Sequence, residues 1–341
     1  MRLFKKNRAR SAFAFLLILT IGLADSNIAL GSSKKKRSKR VHPSSQQTDR
    51  LKSSQASSEE APNSVVKNSK KEYPAILVDK ATNQLHVAAL KDGAFRIIKT
   101  YHATLGKVKG DKEQEGDQKT PEGIYQFKAK LLPPAIKPKF GAIAFYINYP
   151  NVFDELAGRN GFDIMLHATN EPDRLKQDYD SEGCVVLKNE EIKEVAPYIR
   201  LGITPILIFP ELTAEYLKPG IDPALKTFFE SWVKAWEDKN LDAYIDHYHS
   251  DFVAQGKNKT AWKAYKNILN KKYGQIRIGP EDVVYYKHPK YWMITFTQNY
   301  QSKMARSQNW GHRSRGTKIL YVAEEAGKPK IIAETFSRQM W

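Results

Sequence analysis

The sequence predicts two folded domains of different class, a mainly β domain over residues 73–212 and an α+β domain over residues 222–341. In the first segment, short apolar runs alternate with turns rich in Asn, Asp and Gly, a pattern typical of a β-meander. In the second segment, large apolar residues first recur at helical spacing and later alternate with polar residues. Helices followed by an antiparallel sheet indicate an α+β domain.

The first domain is predicted to consist of eight strands and one helix, and its first three strands form the meander. Asn189 can cap a helix over residues 189–199, because Glu190 and Glu191 then lie at the positive end of its dipole. The predicted strands are 75–79, 84–89, 95–101, 123–128, 142–148, 163–167, 183–187 and 205–209.

A junction from Pro210 to Pro223 separates the domains, with residues 213–221 as the linker. Apolar residues at helical spacing predict helices over 225–236 and 241–248, and a third helix over 260–272. The period then changes to two, which predicts strands at 276–278, 283–287, 291–302, 317–324 and 330–337.

Residues 1–31 have the pattern of an export signal. A basic start precedes the apolar run Ala12–Ala24 and a small-residue cleavage site. A retained anchor is the alternative, although the apolar run is shorter than the roughly 20 residues that span a bilayer. Both interpretations predict the periplasm or cell envelope as the location.

Residues 32–72 are predicted to be a disordered linker, since they hold few residues able to form a core. More than half of the net charge of +18 lies within the first 72 residues, including the basic run 34–40. No zinc-finger spacing, basic helix or RNA-binding signature accompanies this run, so nucleic acid is not expected as a partner. A solvated linker and a tether to an anionic membrane or wall polymer remain the two interpretations.

Cys184 is the only cysteine in the chain, so it cannot form an internal disulfide. In an oxidising compartment, an unpaired thiol indicates chemistry. A thiol with a pKa of about 8.5 needs a nearby imidazole to hold the thiolate, and His167 lies 17 residues upstream. Neither a metal site nor a cofactor is predicted, because no His-Glu-x-x-His or phosphate-loop pattern is present. The glycines of residues 106–116 indicate instead a charged loop that covers the cysteine.

His167 followed by Ser181-x-Gly183-Cys184 resembles the catalytic signature of the L,D-transpeptidase (YkuD-type) family. Residues 119–125 are similar to that family's Thr-Pro-x-Gly strand entry. Residues 145–151 with a following aspartate resemble a segment of its hydrolytic branch. The family's commonest form has His where Glu182 stands and Arg where Val186 stands, so a carboxylate clamp for the substrate is missing.

The resemblance implies a β-sandwich fold and a peptidoglycan stem peptide as substrate. Cys184 would attack a peptide carbonyl, and His167 would protonate the leaving amine. The main-chain N–H groups of Gly183 and Cys184 would hold the oxyanion. The residues expected to contact the substrate are Ser181, Glu182 and Tyr146.

The second domain resembles the SnoaL-like, nuclear-transport-factor-like fold, a cone with a pocket. This pairing of domains looks like that of cell-shape L,D-carboxypeptidases, which release D-Ala from a tetrapeptide stem at diaminopimelate and leave a tripeptide. Two alternatives remain open. One is a transpeptidase that forms 3-3 cross-links or attaches a protein or amino acid to the stem, and the other is an inactive wall-binding module.

Overall fold

The computed structural model describes residues 71–338. The predicted export signal at residues 1–31 and nearly all of the predicted linker at residues 32–72 lie outside the described residues. Within 71–338, no helix combines the length and the apolar character needed to cross a membrane.

The first half of the described chain is built on an eight-stranded sheet with the strand order β3-β2-β1-β10-β5-β6-β7-β9, and β4 pairs separately with β8. The first three strands form the predicted antiparallel meander. The strands are β1 (Tyr73–Asp79), β2 (Gln84–Lys91), β3 (Ala94–His102), β4 (Leu105–Gly106), β5 (Gly123–Leu131), β6 (Ala144–Ile147), β7 (Met165–Ala168), β8 (Tyr179–Ser181), β9 (Val185–Leu187) and β10 (Pro205–Phe209).

Two short helices complete this half, α1 (Val152–Leu156) and α2 (Asn189–Val195). Asn189 is the first residue of α2 and not its cap, because its side-chain carbonyl accepts the N–H of Ala142 at 2.7 Å. The predicted helix over 189–199 continues as a 3-10 turn at Ala196–Tyr198, where a proline interrupts the α-helical bonding.

The second half packs helices against a six-stranded sheet with the order β12-β11-β16-β15-β14-β13. An apolar core of aromatic residues from the helices meets the inner face of this sheet. The elements are α3 (Ala214–Leu217), α4 (Pro223–Glu237), α5 (Leu241–Asp246), β11 (Tyr248–Ala254), β12 (Lys257–Asn258), α6 (Lys259–Lys272), β13 (Tyr273–His288), β14 (Tyr291–Met304), β15 (Trp310–Glu325) and β16 (Lys328–Arg338). The predicted fold class, mainly β followed by α+β, is confirmed.

Two details of the second half differ from the prediction. Tyr248 was expected in a helix over 241–248 but begins β11, where its hydroxyl accepts the indole N–H of Trp232 at 3.0 Å. The strands expected at 276–278 and 283–287 are one strand, β13. A shift of register between Glu281 and Val284 interrupts the alternation from which strands are recognised.

The two halves share a packed core and several buried polar contacts. The hydroxyl of Tyr291 accepts the main-chain N–H of Ile124 at 2.8 Å and a side-chain N–H of Asn151 at 3.1 Å. Beside it, Lys290 donates to the carbonyl of Glu122 at 2.5 Å and forms an ion pair with Asp111. The turn between β13 and β14 is therefore anchored to the entry of β5, so the second sheet supports the first directly.

Replacing Tyr291 with Phe is expected to destabilise the protein by about 1–3 kcal/mol, because it leaves the buried N–H groups of Ile124 and Asn151 without an acceptor. Urea unfolding of the full chain measures this loss. Tyr101→Phe is the matched control, since its hydroxyl bonds to Glu194 at the surface and its loss should change the free energy of unfolding by about 0.5 kcal/mol or less. Equal effects of the two changes would contradict the role of Tyr291.

Candidate active site

A polar pocket of about 830 Å³ opens in the first half of the chain. Its lining includes five of the residues expected at the site, namely Cys184, His167, Ser181, Glu182 and Tyr146. The structure thus brings the predicted nucleophile, base and substrate contacts to one cavity.

Strand pairing places the cysteine and the histidine together. His167 lies on β7, and Cys184 immediately precedes β9, which runs parallel to β7. In this register His167 is the partner of Val186, two residues beyond the cysteine. Because side chains alternate along a strand, Cys184, two residues before Val186, is expected on the same face of the sheet as His167, and both residues line the pocket.

The ring of His167 is fixed on two sides. Its Nδ1 donates to the main-chain oxygen of Ala168 at 2.5 Å, which leaves Nε2 as the basic nitrogen. Phe140 packs edge-on against the ring at a centroid distance of 4.9 Å. Only 2% of His167 is exposed, and burial lowers its pKa to about 4, with smaller contributions from the charges of Arg174 and Lys139.

Cys184 is 9% exposed, and its thiol donates to the carbonyl of Asp163 at 3.6 Å. Burial raises the pKa of this thiol to about 11, and the charges of Asp163 and Glu182 act in the same direction. A main-chain hydrogen bond from Met165 and the charge of Arg174 oppose the shift. The resting site therefore holds a neutral thiol and a neutral imidazole. Burial disfavours both charges at rest, and the expectation that the imidazole holds the thiolate stays a prediction.

Ser181 and Gly183 shape the turn that presents the thiol. The hydroxyl of Ser181 donates to the carbonyl of Cys184 at 2.6 Å and accepts the N–H of Gly183 at 3.1 Å. Gly183 has φ +119, and a Cβ there would lie 2.7 Å from the carbonyl oxygen of Lys119. Glycine is thus required by the turn itself. The N–H of Gly183 is engaged by Ser181, so an oxyanion role for it would require that bond to open.

Glu182 and Tyr146 lie at the pocket without a fixed role. Glu182 is exposed at the rim. Tyr146, on β6, is partly buried, and this burial raises the pKa of its phenol, with a smaller contribution from the nearby charge of Asp163. Both line the pocket, and their assignment as substrate contacts stays a prediction.

The charged loop that was expected to cover the cysteine does form a wall of the pocket, through residues that include Lys112 and Glu115. Lys112 is buried and pairs with Asp117 at 2.7 Å. The N–H of Glu115 donates to the side chain of Asn160 at 2.8 Å, which joins this loop to the loop that precedes β7. Ion pairs from Asp111 to Arg159 and to Lys290 complete the connection.

Sequence reasoning missed two participants. The partner that orients His167 is a main-chain carbonyl, that of Ala168, and no residue type signals such a group. Arg174 lines the pocket from the 3-10 turn Pro172–Lys176, a segment that carries no motif.

Comparison with known proteins agrees with this division of the chain. Residues 73–208 match the family model of the L,D-transpeptidase catalytic domain (YkuD). Residues 224–335 match the model of the Cds6 C-terminal NTF2-like domain.

Two solved structures share both halves. Bd1075 of Bdellovibrio bacteriovorus is 33% identical, with a TM-score of 0.65 over 78% of this chain and 93% of that one. Pgp2 of Campylobacter jejuni, described as a helical cell shape determining protein, is 23% identical, with a TM-score of 0.58 over 80% of this chain and 96% of that one. The likeness to Pgp2 concerns the fold.

A shorter match joins the catalytic half to YafK of Escherichia coli (strain K12), named as a candidate L,D-transpeptidase. The two are 31% identical over 90 residues, which make up 26% of this chain and 32% of YafK. The chain thus spans about a third of the length of this relative.

Alkylation of Cys184 by iodoacetamide should keep accelerating above pH 9, because a pKa of about 11 leaves about one thiol in ten thousand ionised at pH 7. The rate is followed by mass spectrometry of the peptide that holds Cys184, which separates thiol labelling from the labelling of lysine amines at high pH. Glutathione serves as the exposed reference, whose rate levels off near its own pKa. A plateau for Cys184 near neutral pH would show an ion pair and contradict the neutral site.

Gly183→Ala should lower the free energy of unfolding by roughly 2–5 kcal/mol, because it adds both a positive-φ strain and a collision with Lys119. Gly158→Ala is the matched control, with φ +76 and no atom within 4 Å of the added Cβ, and should cost roughly 1–2 kcal/mol. Thermal or urea unfolding compares the two. Equal losses would show that the contact with Lys119 is unimportant.

Proposed function

Because residues 73–208 of this chain belong to the L,D-transpeptidase catalytic-domain family, joined to an NTF2-like domain, we propose that the protein is a cysteine enzyme that modifies peptidoglycan stem peptides. The observation that carries the proposal is that Cys184 and His167 line the same polar pocket of that domain. A stem-peptide substrate places the enzyme in the cell envelope, in agreement with the predicted export signal. We propose residues 73–212 as the catalytic domain and residues 222–341 as the NTF2-like domain.

The proposed first step is acyl transfer to the thiol. Cys184 Sγ attacks the carbonyl of the third stem residue, diaminopimelate, at its L-centre. The S–C bond forms and the C–N bond to the terminal D-Ala breaks. Since the thiol is neutral at rest, its proton moves to Nε2 of His167 during attack and then to the departing amine.

His167 suits this role because the carbonyl of Ala168 fixes its tautomer and its pKa leaves it unprotonated above about pH 4. The N–H of Cys184 is the proposed donor to the oxyanion, an interaction that typically contributes roughly a hundredfold or more in rate. Gly183 contributes a second donor only if its bond to Ser181 opens.

Water is the proposed acceptor of the acyl group, so that the enzyme is an L,D-carboxypeptidase that converts tetrapeptide to tripeptide stems. In the second step His167 takes a proton from water, hydroxide attacks the thioester, and the thiol is restored. Two observations support hydrolysis. Val186 replaces the arginine found in the commonest form of the family, and the pairing of domains is shared with Pgp2, described as a cell-shape determinant.

Purified full-length protein, incubated with tetrapeptide muropeptides, should release D-Ala and accumulate tripeptide monomers. Cys184→Ala and His167→Ala should each reduce this release at least roughly a thousandfold, because each removes a reacting group. His102→Ala, an exposed histidine of β3, is the control and should retain activity. Liquid chromatography with mass spectrometry separates the products.

Three outcomes would contradict parts of the proposal. Cross-linked dimers in place of tripeptide monomers would identify a transpeptidase. Full activity of Cys184→Ala would remove the thiol from the mechanism. No change in any muropeptide, despite a folded protein, would favour a wall-binding module.

A further inference from the structure

Cationic and anionic side chains line the pocket together, namely Arg174, Lys139, Asp163 and Glu182. Arg174 and Lys139 are the cations whose charges act on His167. The charge of Arg174 also acts on Cys184, where the carboxylates Asp163 and Glu182 oppose it. An anionic group of a substrate is therefore favoured near Arg174.

Arg174 is held in one orientation. Its Nε donates to a carboxylate oxygen of Asp180 at 2.8 Å, and its Nη2 donates to the main-chain oxygen of the same residue at 2.9 Å. The partner of Nη1 within the described chain is the exposed Glu171 at 3.7 Å, beyond hydrogen-bonding distance. A guanidinium fixed on one edge, with donors left on the other, is preorganised to bind a second planar anion.

The position of Val186, where the commonest form of the family has an arginine, is not suited to bind an anion from the pocket. Val186 is fully buried and packs with Ala144 and Met165 in an apolar cluster. A guanidinium at that position would need a charged partner inside the cluster. Arg174 instead reaches the cavity from the turn Pro172–Lys176.

The chemistry of the leaving group links the carboxylate to the histidine. In a terminal amino acid, the scissile nitrogen and the carboxylate are attached to the same carbon. The side chain that protonates the nitrogen, His167, must therefore lie close to the group that binds the carboxylate. Arg174 meets this condition in that it lines the same cavity as His167.

We propose that Arg174 binds the C-terminal carboxylate of the stem peptide and so restricts the enzyme to peptides with a free terminus. The inference rests on the proposed function and deepens it. Arg174 selects the chain end, whereas Cys184 and His167 carry out the reaction. A peptide whose terminus is amidated, or extended so that no carboxylate follows the scissile bond directly, is a poor substrate.

The test compares two synthetic tetrapeptide stems, one ending in D-Ala and one in D-alaninamide. Wild-type protein should favour the acid by roughly ten- to a hundredfold in kcat/KM, the range expected for hydrogen bonds to a charged group. Arg174→Met should remove most of that preference, and Arg174→Lys should keep part of it, since it retains the charge but loses the fork. Lys176→Met removes an exposed positive charge from the same turn, paired with Asp173, and should leave the preference unchanged.

Peptide binding can be measured in a second experiment that does not depend on turnover. In a Cys184→Ala background, calorimetry should show that Arg174→Met weakens binding of the acid peptide and not that of the amide. Circular dichroism and urea unfolding establish that each variant is folded.

The outcomes separate the two proposals. An equal loss for acid and amide in Arg174→Met, or no preference in the wild type, would overturn the role of Arg174 while leaving hydrolysis intact. Binding of the acid peptide through Arg174 without turnover would support this inference and contradict the proposed function. Failure of the acid peptide to bind the Cys184→Ala protein would overturn the inference.

Discussion

In the proposed mechanism, the chemistry of this protein depends on the joint burial of a thiol and an imidazole. Burial lowers the pKa of His167 to about 4 and raises that of Cys184 to about 11, so neither group is charged at neutral pH. An isolated neutral thiol is a poor nucleophile, and the attacking sulfur gains its charge only as its proton leaves for the histidine.

The buried pair is supported by contacts that extend into the second half of the chain. The carbonyl of Asp163 accepts a hydrogen bond from the thiol of Cys184. The loop that contains Asp163 is joined through Asn160 and Arg159 to the charged loop over residues 106–116. Asp111 in that loop pairs in turn with Lys290, at the turn between β13 and β14. The NTF2-like half thus holds one wall of the pocket in place, in addition to the apolar core that the halves share.

Sequence patterns predicted the strand-rich half and the pair Cys184 and His167, because the family signature joins residue types at fixed spacing. They did not predict the carbonyl that orients His167, since every residue carries one. Tyr248 was misplaced because an aromatic residue after a helical pattern extends that pattern equally well, and only pairing with β16 makes it a strand residue. Arg174 was missed because its segment is a short turn without periodicity, and only the fold brings it to the pocket that His167 lines.

The central claim is that water takes the acyl group from Cys184, and hydrolysis in H₂¹⁸O tests it most directly. Each tripeptide formed from a tetrapeptide stem should carry one ¹⁸O atom in its new carboxylate, because water breaks the thioester. The mass of the product, compared with that from ordinary water, shows the label. Unlabelled products, with the acyl group joined to an amine of a second stem, would contradict the account.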